Sequence, residues 1–504
     1  MPEAKKDVAV TAGRGVLFIT GAKLWFIVAG YAITFVLPRL LDEAAFGAYS
    51  QVVAAVSILN NVLITGTIQA VSRFSAEDDA RAPAVLRTAL GIQVLIGLGL
   101  AGAWFGAAPF VASRFLHKPG LVPYLWLSAG VVLAYAVYAA LVGSLNGRKL
   151  FHRQATLDVT FSTLRAGLTL GLAAAGFGAL GAIAGFASAS LGVLVVALAW
   201  VGIGRSGEGV SARRYLAFVA PLFAYHLPLN GVLQFDILLL SRAVSIAAVG
   251  AGQTVAAAAD AGNVVSGYYR ATQQVAFIPY QLVLSVAFVV FPLVSRATFE
   301  KDEEATRGYI RGALRFALLL TAGVAAVFAA RPTGVLGILF PPAYARAGAA
   351  LSILAGGVVA FSLFTIACTI LNGAGRARTT ALLAAVAFGA VVGCNLLLVP
   401  GRSGAAAMTA TAIATSAGML LALLLSAGLL VKVFGAFVPI ATLLRTTFAA
   451  AVVVGAGRLL PSLGKLVELA LLAALVVLYA IVLGATRELG ADDLSKLRRI
   501  VRGK

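Results

Sequence analysis

The sequence predicts an all-α polytopic membrane protein with about fourteen transmembrane helices. Three observations carry this. Of 504 residues, 61% are hydrophobic and only 12% charged, with a mean hydropathy of +0.98. Soluble domains carry about 25% charged and about 45–50% apolar residues, so a soluble enzyme and a disordered chain are both excluded. The apolar residues fall into runs of roughly 20, the length that crosses a bilayer as a helix. Finally, the pattern repeats six spans on.

In order, the spans read Gly15 to Leu37, Phe46 to Ser72, Thr88 to Phe110, Leu121 to Leu145, Gln154 to Gly176 and Ala179 to Gly202. Six more follow: Tyr215 to Leu240, Val264 to Val294, Tyr309 to Ala330, Ala349 to Leu371, Thr379 to Val399 and Gly404 to Leu430. A last pair runs Ala436 to Leu459 and Leu466 to Leu483. The first span is long, carries Lys23 and lacks a small-residue cleavage site after it, which reads as an uncleaved signal-anchor.

Charge orients the chain. Lys and Arg number 39 against 19 Asp and Glu, a formal +20. With the N-terminus inside, inner segments hold about 25 of these cations and outer loops about 9. The inner set includes Arg148, Lys149, Arg153, Arg205, Arg213, Arg214, Arg376 and Arg378, with Lys496, Arg498, Arg499 and Arg502 in the tail. This bias accounts for the basic charge without nucleic acid and puts both termini in the cytoplasm. Cys368 and Cys394 lie in apolar runs and imply no disulfide. Three histidines do not make a His-built metal site.

The repeat is legible in four motifs. Gly47-Ala48-Tyr49 recurs as Gly267-Tyr268-Tyr269, and Val71-Ser72-Arg73 as Val294-Ser295-Arg296. Arg87-Thr88-Ala89-Leu90 recurs as Arg311-Gly312-Ala313-Leu314, and Leu145-Asn146-Gly147 as Leu371-Asn372-Gly373. A unit of six spans keeps its orientation, so the halves are parallel repeats about an axis along the membrane normal. The expected organisation is an N-lobe over 1–210, a C-lobe over 211–432, two additional helices over 433–486 and a basic tail over 487–504. The lobes are expected to enclose a central cavity.

Polar residues at helical spacing mark the first two spans of each half. They are Thr20, Lys23, Tyr31 and Thr34; Ser57, Asn61, Thr65 and Gln69; His226, Asn230 and Gln234; and Arg270, Gln273, Gln274, Gln281 and Ser285. Pro221 and Pro228 should bend the third of these spans. A wet lumen explains the stripes; interhelical hydrogen bonding is the competing explanation.

A charge within the membrane costs roughly 2.5–3.5 kcal/mol on insertion scales, so each needs a reason. Lys23 and Arg270 read as groups that meet an anionic ligand, with Asn61, Gln69, Asn230 and Gln274 on the stripes beside them; snorkelling or pairing with protein carboxylates is the alternative for both cations. Asp158 stands two turns from Arg165 on one face, which suggests a structural pair. Arg315 should snorkel, and Arg445 could guide a lipid phosphate. Asp236 and Asp158 are the candidate ion-coupling carboxylates; proton or sodium coupling is left open, as is pairing of Asp236 with an arginine. Gly202-Ile203-Gly204-Arg205-Ser206-Gly207 matches a dinucleotide fingerprint by letter but follows no strand. No Walker A sequence occurs. The acidic clusters Glu77-Asp78-Asp79 and Glu300 to Glu304 read as solvated loops beside basic residues.

With these residues in view, the chain resembles the polysaccharide-biosynthesis (Wzx-like) branch of the multidrug/oligosaccharidyl-lipid/polysaccharide flippase superfamily. The carriers are Leu37-Pro38-Arg39-Leu40 with Phe46-Gly47-Ala48-Tyr49-Ser50, then Phe235-Asp236-Ile237-Leu238-Leu239, and Phe291-Pro292-Leu293-Val294-Ser295-Arg296. Leu336-Gly337-Ile338-Leu339-Phe340 with Tyr344, Leu371-Asn372-Gly373-Ala374-Gly375-Arg376, and the tail from Glu488 to Arg499 complete them. The chain departs in a longer segment, Ile246 to Gly262, and lacks the Arg- and Asp-rich first hairpin of lipid II flippases. The resemblance implies a non-enzymatic, alternating-access transporter of undecaprenyl-pyrophosphate-linked oligosaccharide in the bacterial cytoplasmic membrane. It implies no cofactor, no nucleic-acid partner, and an ion gradient or potential in place of ATP. A drug or metabolite/cation antiporter of the same fold and a membrane polysaccharide polymerase or ligase are the alternatives. Cysteine-accessibility labelling at Ser211 and Ser495 should report the cytoplasm at both; external labelling of either overturns the orientation.

Overall fold

A computed structural model describes residues 2–300, 302–461 and 464–490. These residues are helical almost throughout, and no strand occurs among them. The first helices are α1 (Pro2–Leu40), α2 (Glu43–Glu77), α3 (Ala82–Phe110), α4 (Val122–Gly147), α5 (Phe151–Leu172) and α6 (Gly178–Val201). Next come α7 (Ala212–Gly250), α8 (Val255–Ala276), α9 (Ile278–Phe299), α10 (Glu303–Ala330) and the short α11 (Pro332–Leu339). The chain continues through α12 (Gly348–Gly373), α13 (Ala377–Leu398), α14 (Gly404–Phe434), α15 (Ile440–Leu459) and α16 (Lys465–Ala485).

Twelve segments among the described residues are long and apolar enough to cross a membrane. One of them, Phe151–Val201, doubles back at Gly176 and Gly178, whose φ values of 91° and 58° suit glycine, so α5 packs on α6. The eighth expected span is broken. α8 ends at Ala276, and α9 starts at Ile278 after the single residue Phe277, with Pro279 in its first turn where a missing N–H is harmless. The expectation of about fourteen helices is therefore close.

Two further differences concern the connections. The segment Ile246 to Gly262 is mostly helix: α7 runs on to Gly250 and α8 begins at Val255. The basic tail lies, beyond Gly490, outside the described residues, with Lys496, Arg498, Arg499 and Arg502.

The chain forms two compact units that divide between Gly267 and Tyr268, inside α8. In the first, α2 packs on α4, α3 on α4, α4 on α6 and α5 on α6; α7 also packs on α2. In the second, α9 packs on α12, α10 on α12, α12 on α14 and α13 on α14. The same order of pairings thus recurs six spans on, which is the repeat seen as packing.

The repeat motifs sit where helices approach most closely. A Cβ on Gly47 would collide with the backbone of Asn263, and one on Gly267 would lie 2.8 Å from the Glu43 carbonyl oxygen and 3.3 Å from the Gly47 nitrogen. The equivalent glycines of the two halves face each other here, and the small residues let α2 and α8 touch backbone to backbone. Likewise a Cβ on Gly147 would collide with the Ser72 carbonyl, and Ser72 Oγ lies 3.4 Å from Asn146 Oδ1. In the second copy, Asn372 Oδ1 instead accepts from Thr380 Oγ1 at 2.6 Å.

The acidic loops are accounted for locally. Asp302 Oδ1 caps α10 through the Ala305 amide at 2.9 Å. Glu303 pairs with Arg307 at 2.9 Å and Glu300 with Arg296 at 2.8 Å. Glu77 pairs with Arg214 at 3.0 Å, and Asp78 with Arg81 at 3.4 Å.

α15 and α16 are bound to α10 at both ends. At one end Arg331 Nη2 meets Glu468 Oε2 at 2.7 Å and Arg331 Nε meets Oε1 at 2.8 Å, with both side chains buried. Arg331 also donates to the carbonyls of Gly457, Leu460 and Pro461. At the other end Glu488 takes Arg315 Nε at 2.8 Å, Thr442 Oγ1 at 2.8 Å and Arg445 Nη1 at 3.3 Å. Burial pushes the Glu488 carboxyl up, but these hydrogen bonds outweigh it and hold the group below the usual carboxylate range. Arg315 and Arg445 therefore do not stand alone as a snorkelling side chain and a lipid guide; they share one carboxylate. Between the two ends, Ala326, Val327, Ala449, Val453, Leu475 and Tyr479 form an apolar seam.

Removing one partner of a buried pair costs about 3–5 kcal/mol, because the other charge stays behind. Glu468→Gln should lower the denaturation midpoint of the detergent-solubilised protein. The double change Arg331→Met with Glu468→Leu should recover most of it.

Candidate functional site

The candidate residues fall into both units, and each unit is described on its own. In the first, Lys23 projects from α1 with its side chain 63% exposed, and its Nζ lies 3.9 Å from Asp158 Oδ2 on α5. That oxygen has no hydrogen-bond partner. The expected pairing of Asp158 with Arg165 is thus replaced. Helical spacing along one strip of α5 could not reveal that α1 packs on α5 and brings Lys23 to the carboxylate. Arg165 lays its guanidinium 4.4 Å over the Phe186 ring of α6, a cation–π contact. Next to Lys23, Trp25 Nε1 donates to Thr163 Oγ1 at 2.9 Å, a second α1–α5 tie.

The polar stripes of α2 and α7 meet. Asn61 Nδ2 donates to Asn230 Oδ1 at 2.9 Å, while Asn230 Nδ2 donates to the His226 carbonyl at 2.8 Å. Asn61 is exposed although it is bonded, and Gln69 two turns on is exposed as well. The stripe is therefore both interhelical tie and accessible polar surface. Asp236 is buried, and its Oδ1 accepts from the Ile237 amide at 2.8 Å.

In the second unit Arg270 is half-buried on α8. Its Nη1 lies 3.4 Å from Gln273 Oε1. With the Gln274 amide turned as its neighbours require, that oxygen accepts from Arg270 Nε and Nη2 at 3.3 Å. These contacts are with neutral amides along its own helix and orient the guanidinium.

The first unit also holds a buried cation that no sequence pattern marks. Lys118, in the turn between α3 and α4, is 2% exposed. Its Nζ is set among Gln51 Oε1 at 3.1 Å, Asn263 Oδ1 at 2.7 Å and the Ser241 hydroxyl. In sequence it is an ordinary loop lysine between His117 and Pro119, and only the packing of α2, α7 and α8 around it reveals the site.

Comparison with known proteins gives a consistent result. Residues 12–298 match the family described as "Polysaccharide biosynthesis protein". The uncharacterized membrane protein YabM of Bacillus subtilis (strain 168) is 25% identical over 453 residues, covering 85% of this chain and 82% of that one. Among solved structures, the lipid II flippase MurJ in an inward closed conformation superposes with a TM-score of 0.72 at 14% identity, covering 93% of this chain and 98% of the other. A MATE family transporter of the MOP superfamily, in an inward-facing conformation, gives 0.61 at 16% identity over 80% of this chain and 93% of the other. At these identities the superpositions show the fold.

Proposed function

Since this chain belongs to the polysaccharide biosynthesis protein family and is a multi-span membrane protein with the fold of flippases and transporters, we propose that it is a flippase for undecaprenyl-pyrophosphate-linked oligosaccharide. It works without covalent chemistry, by alternating access, in the bacterial cytoplasmic membrane with both termini inside. The similarity to a protein named a lipid II flippase supports a lipid-linked substrate.

The observation that carries the reading is the state of Lys23. It is a cation about 12 Å into its span at helical rise, with its side chain largely exposed and its carboxylate neighbour 3.9 Å away. A pyrophosphate can displace so loose a pairing, because a charge-assisted contact to phosphate is shorter and stronger. Arg270, oriented by Gln273 and Gln274, is the anion-binding group of the second unit. Gln69 and the linked Asn61 and Asn230 supply hydrogen bonds to sugar or water. Lys23→Ala and Arg270→Ala should each lower glycan export several-fold with the protein still in the membrane. Normal export by the double variant at native expression removes both residues from the mechanism.

The driving force follows from charge. A pyrophosphate carries about two negative charges, and moving each across 100 mV is worth about 2.3 kcal/mol. With the cell interior negative, outward movement is favoured by roughly 5 kcal/mol. Asp236 and Asp158 are the carboxylates proposed for any coupled proton or sodium ion; Asp158 is released when the substrate takes Lys23. In vesicles of native sidedness, dissipating the potential at constant pH should slow flipping of a lipid-linked oligosaccharide. An unchanged, protein-dependent and flipping-limited rate counts against it. Asp236→Asn or Asp158→Asn should abolish any pH or sodium dependence that the wild type shows.

A further inference from the structure

Lys118 sits at the end of the first unit that holds the α1–α2, α3–α4 and α7–α8 connections, the outer end in the proposed orientation. A wide π-turn over Val111–Phe115 and a left-handed His117 (φ 58°) turn the chain inward, and the Lys118 amide donates to the Ala112 carbonyl at 2.7 Å. The side chain then enters a cage drawn from three helices: Gln51 from α2, Ser241 from α7 and Asn263 from α8. A Cβ on Gly262 would lie 2.7 Å from the Ser241 carbonyl oxygen and 2.9 Å from Lys118 Nζ, so the close approach of α7 and α8 around the amine needs glycine there.

The cage holds an ammonium. Lys118 Nζ donates to Gln51 Oε1 at 3.1 Å, to Asn263 Oδ1 at 2.7 Å and to the Ser241 hydroxyl. Three donations use three N–H groups, which only the protonated amine carries. The Ser241 hydroxyl spends its own proton on Gln51 Oε1 at 2.7 Å, so it meets the amine as an acceptor. Gln51 Nε2 donates in turn to Asn263 Oδ1 and to Ser266 Oγ, both at 2.9 Å, which fixes the amide oxygens toward the cation. Burial pulls the Lys118 amine well below the usual lysine range, and the Asp260 carboxylate opposes this through space. The hydrogen bonds, all of them donations, decide which form the cage fits. Among the described residues no carboxylate lies within ion-pair distance of Lys118, so neutral oxygens alone hold the charge.

The fold itself does not ask for a charge at this place. Along the sequence repeat, Lys118-Pro119 corresponds to Phe340-Pro341, at an offset within the range of the four repeated motifs. Phe340 is as buried as Lys118, and its ring stacks on Tyr344 with centroids 5.5 Å apart. An aromatic ring thus plugs the turn in the second copy, and an apolar side chain meets the packing requirement. The cation of the first copy adds something else: a bond across three helices. α7 and α8 open the second repeat, so the cage ties the first repeat to the start of the second. It stands beside the contact of the equivalent residues Gly47 and Gly267, one turn along α2 and one turn along α8.

We infer that the Lys118 ammonium is the bolt of an outer gate: it holds the outer ends of α2, α7 and α8 together, and that end opens only when the amine leaves its cage. The inference rests on the flippase reading for the need to open, and on the cage for the place. Its chemistry suits a tie that must break. Arg331 meets Glu468 through two charged contacts, and parting them would leave a carboxylate stranded beside an arginine. Lys118 leaves only neutral groups behind, and water replaces its three donations when it is freed. Hydrogen bonds to a charged group are still stronger than neutral ones, so the closed state is favoured while the cage is intact.

Spin labels at Ala45→Cys on α2 and Ala257→Cys on α8, in the full chain with Cys368 and Cys394 replaced by alanine, report the separation of the outer ends by pulsed electron resonance. No substrate is present, so the distances test the bolt alone, while glycan export by the Lys23 and Arg270 variants tests the flippase reading. Short distances should predominate with Lys118 in place. Lys118→Met, an apolar side chain of the kind the turn accepts at Phe340, should raise the ratio of long to short distances by about tenfold, the worth of a hydrogen bond to a charged group. Ser241→Ala removes one acceptor and should raise the ratio by a smaller factor; it serves if the methionine variant does not assemble. Asn263→Asp keeps both accepting contacts of Oδ1 and gives the ammonium a counter-charge, so the short distance should hold at least as firmly as before. A merely structural lysine would lower the denaturation midpoint when replaced and leave the distances of the folded protein unchanged. That result in Lys118→Met, or in Ser241→Ala where the first does not assemble, overturns the bolt, as does a ratio raised by Asn263→Asp.

Discussion

A charge inside a membrane-spanning bundle must find its compensation within the bundle, because the surrounding hydrocarbon offers none. That constraint decides how these helices are held. Arg331 and Glu468 close one end of the α10–α15–α16 group, and Arg315, Arg445 and Glu488 close the other. The apolar seam between them could slide, since aliphatic faces are tolerant of register. The two ion clusters fix it at both ends. The additional pair of helices is thereby fastened to the second unit and cannot drift independently of α10.

Three cationic sites, at Arg331, at Arg315 with Arg445, and at Lys23, differ in how completely they are compensated. Arg331 has two carboxylate contacts and three carbonyls, and its side chain is 10% exposed. It has no capacity left for a ligand. Arg315 and Arg445 share one carboxylate that is itself saturated. Lys23 has a loose carboxylate neighbour 3.9 Å away and an exposed side chain. A group retained in the membrane with incomplete compensation costs stability. That cost is what supports the anion-binding role proposed for Lys23.

Much of the fold was legible because it follows from period and length. Runs of about 20 apolar residues, and four short motifs at one offset, were enough for the helix number and the repeat. Packing then explained the motifs: Gly47 and Gly267 are glycines because two backbones touch there. Side-chain partners were the illegible part. Asp158 and Arg165 share a helical strip in the sequence, yet Lys23 on another helix takes the carboxylate. Glu468 and Glu488 lie about 137 and 173 residues from Arg331 and Arg315 along the chain. No local pattern encodes such a distance. The same is true of Lys118, whose neighbours come from residues 51, 241 and 263. The break between α8 and α9 was signalled by Pro279, but the apolar run around it concealed the signal.

The glycine contacts and the lysine cage belong to one arrangement. Gly47 and Gly267 bring α2 and α8 into backbone contact, and Gln51, one turn along α2 from Gly47, then faces Asn263, one turn along α8 from Gly267. Backbone contact alone holds helices by dispersion and leaves their register tolerant. The buried polar cluster at the same contact removes that tolerance: Lys118 Nζ donates to Gln51 and Asn263 as well as to the Ser241 hydroxyl, and Gln51 Nε2 donates to Asn263 and Ser266. A slip of one residue along either helix would leave these buried groups without partners, and each would then carry its desolvation cost. The small residues bring α2 and α8 together, and the polar cluster fixes where they meet.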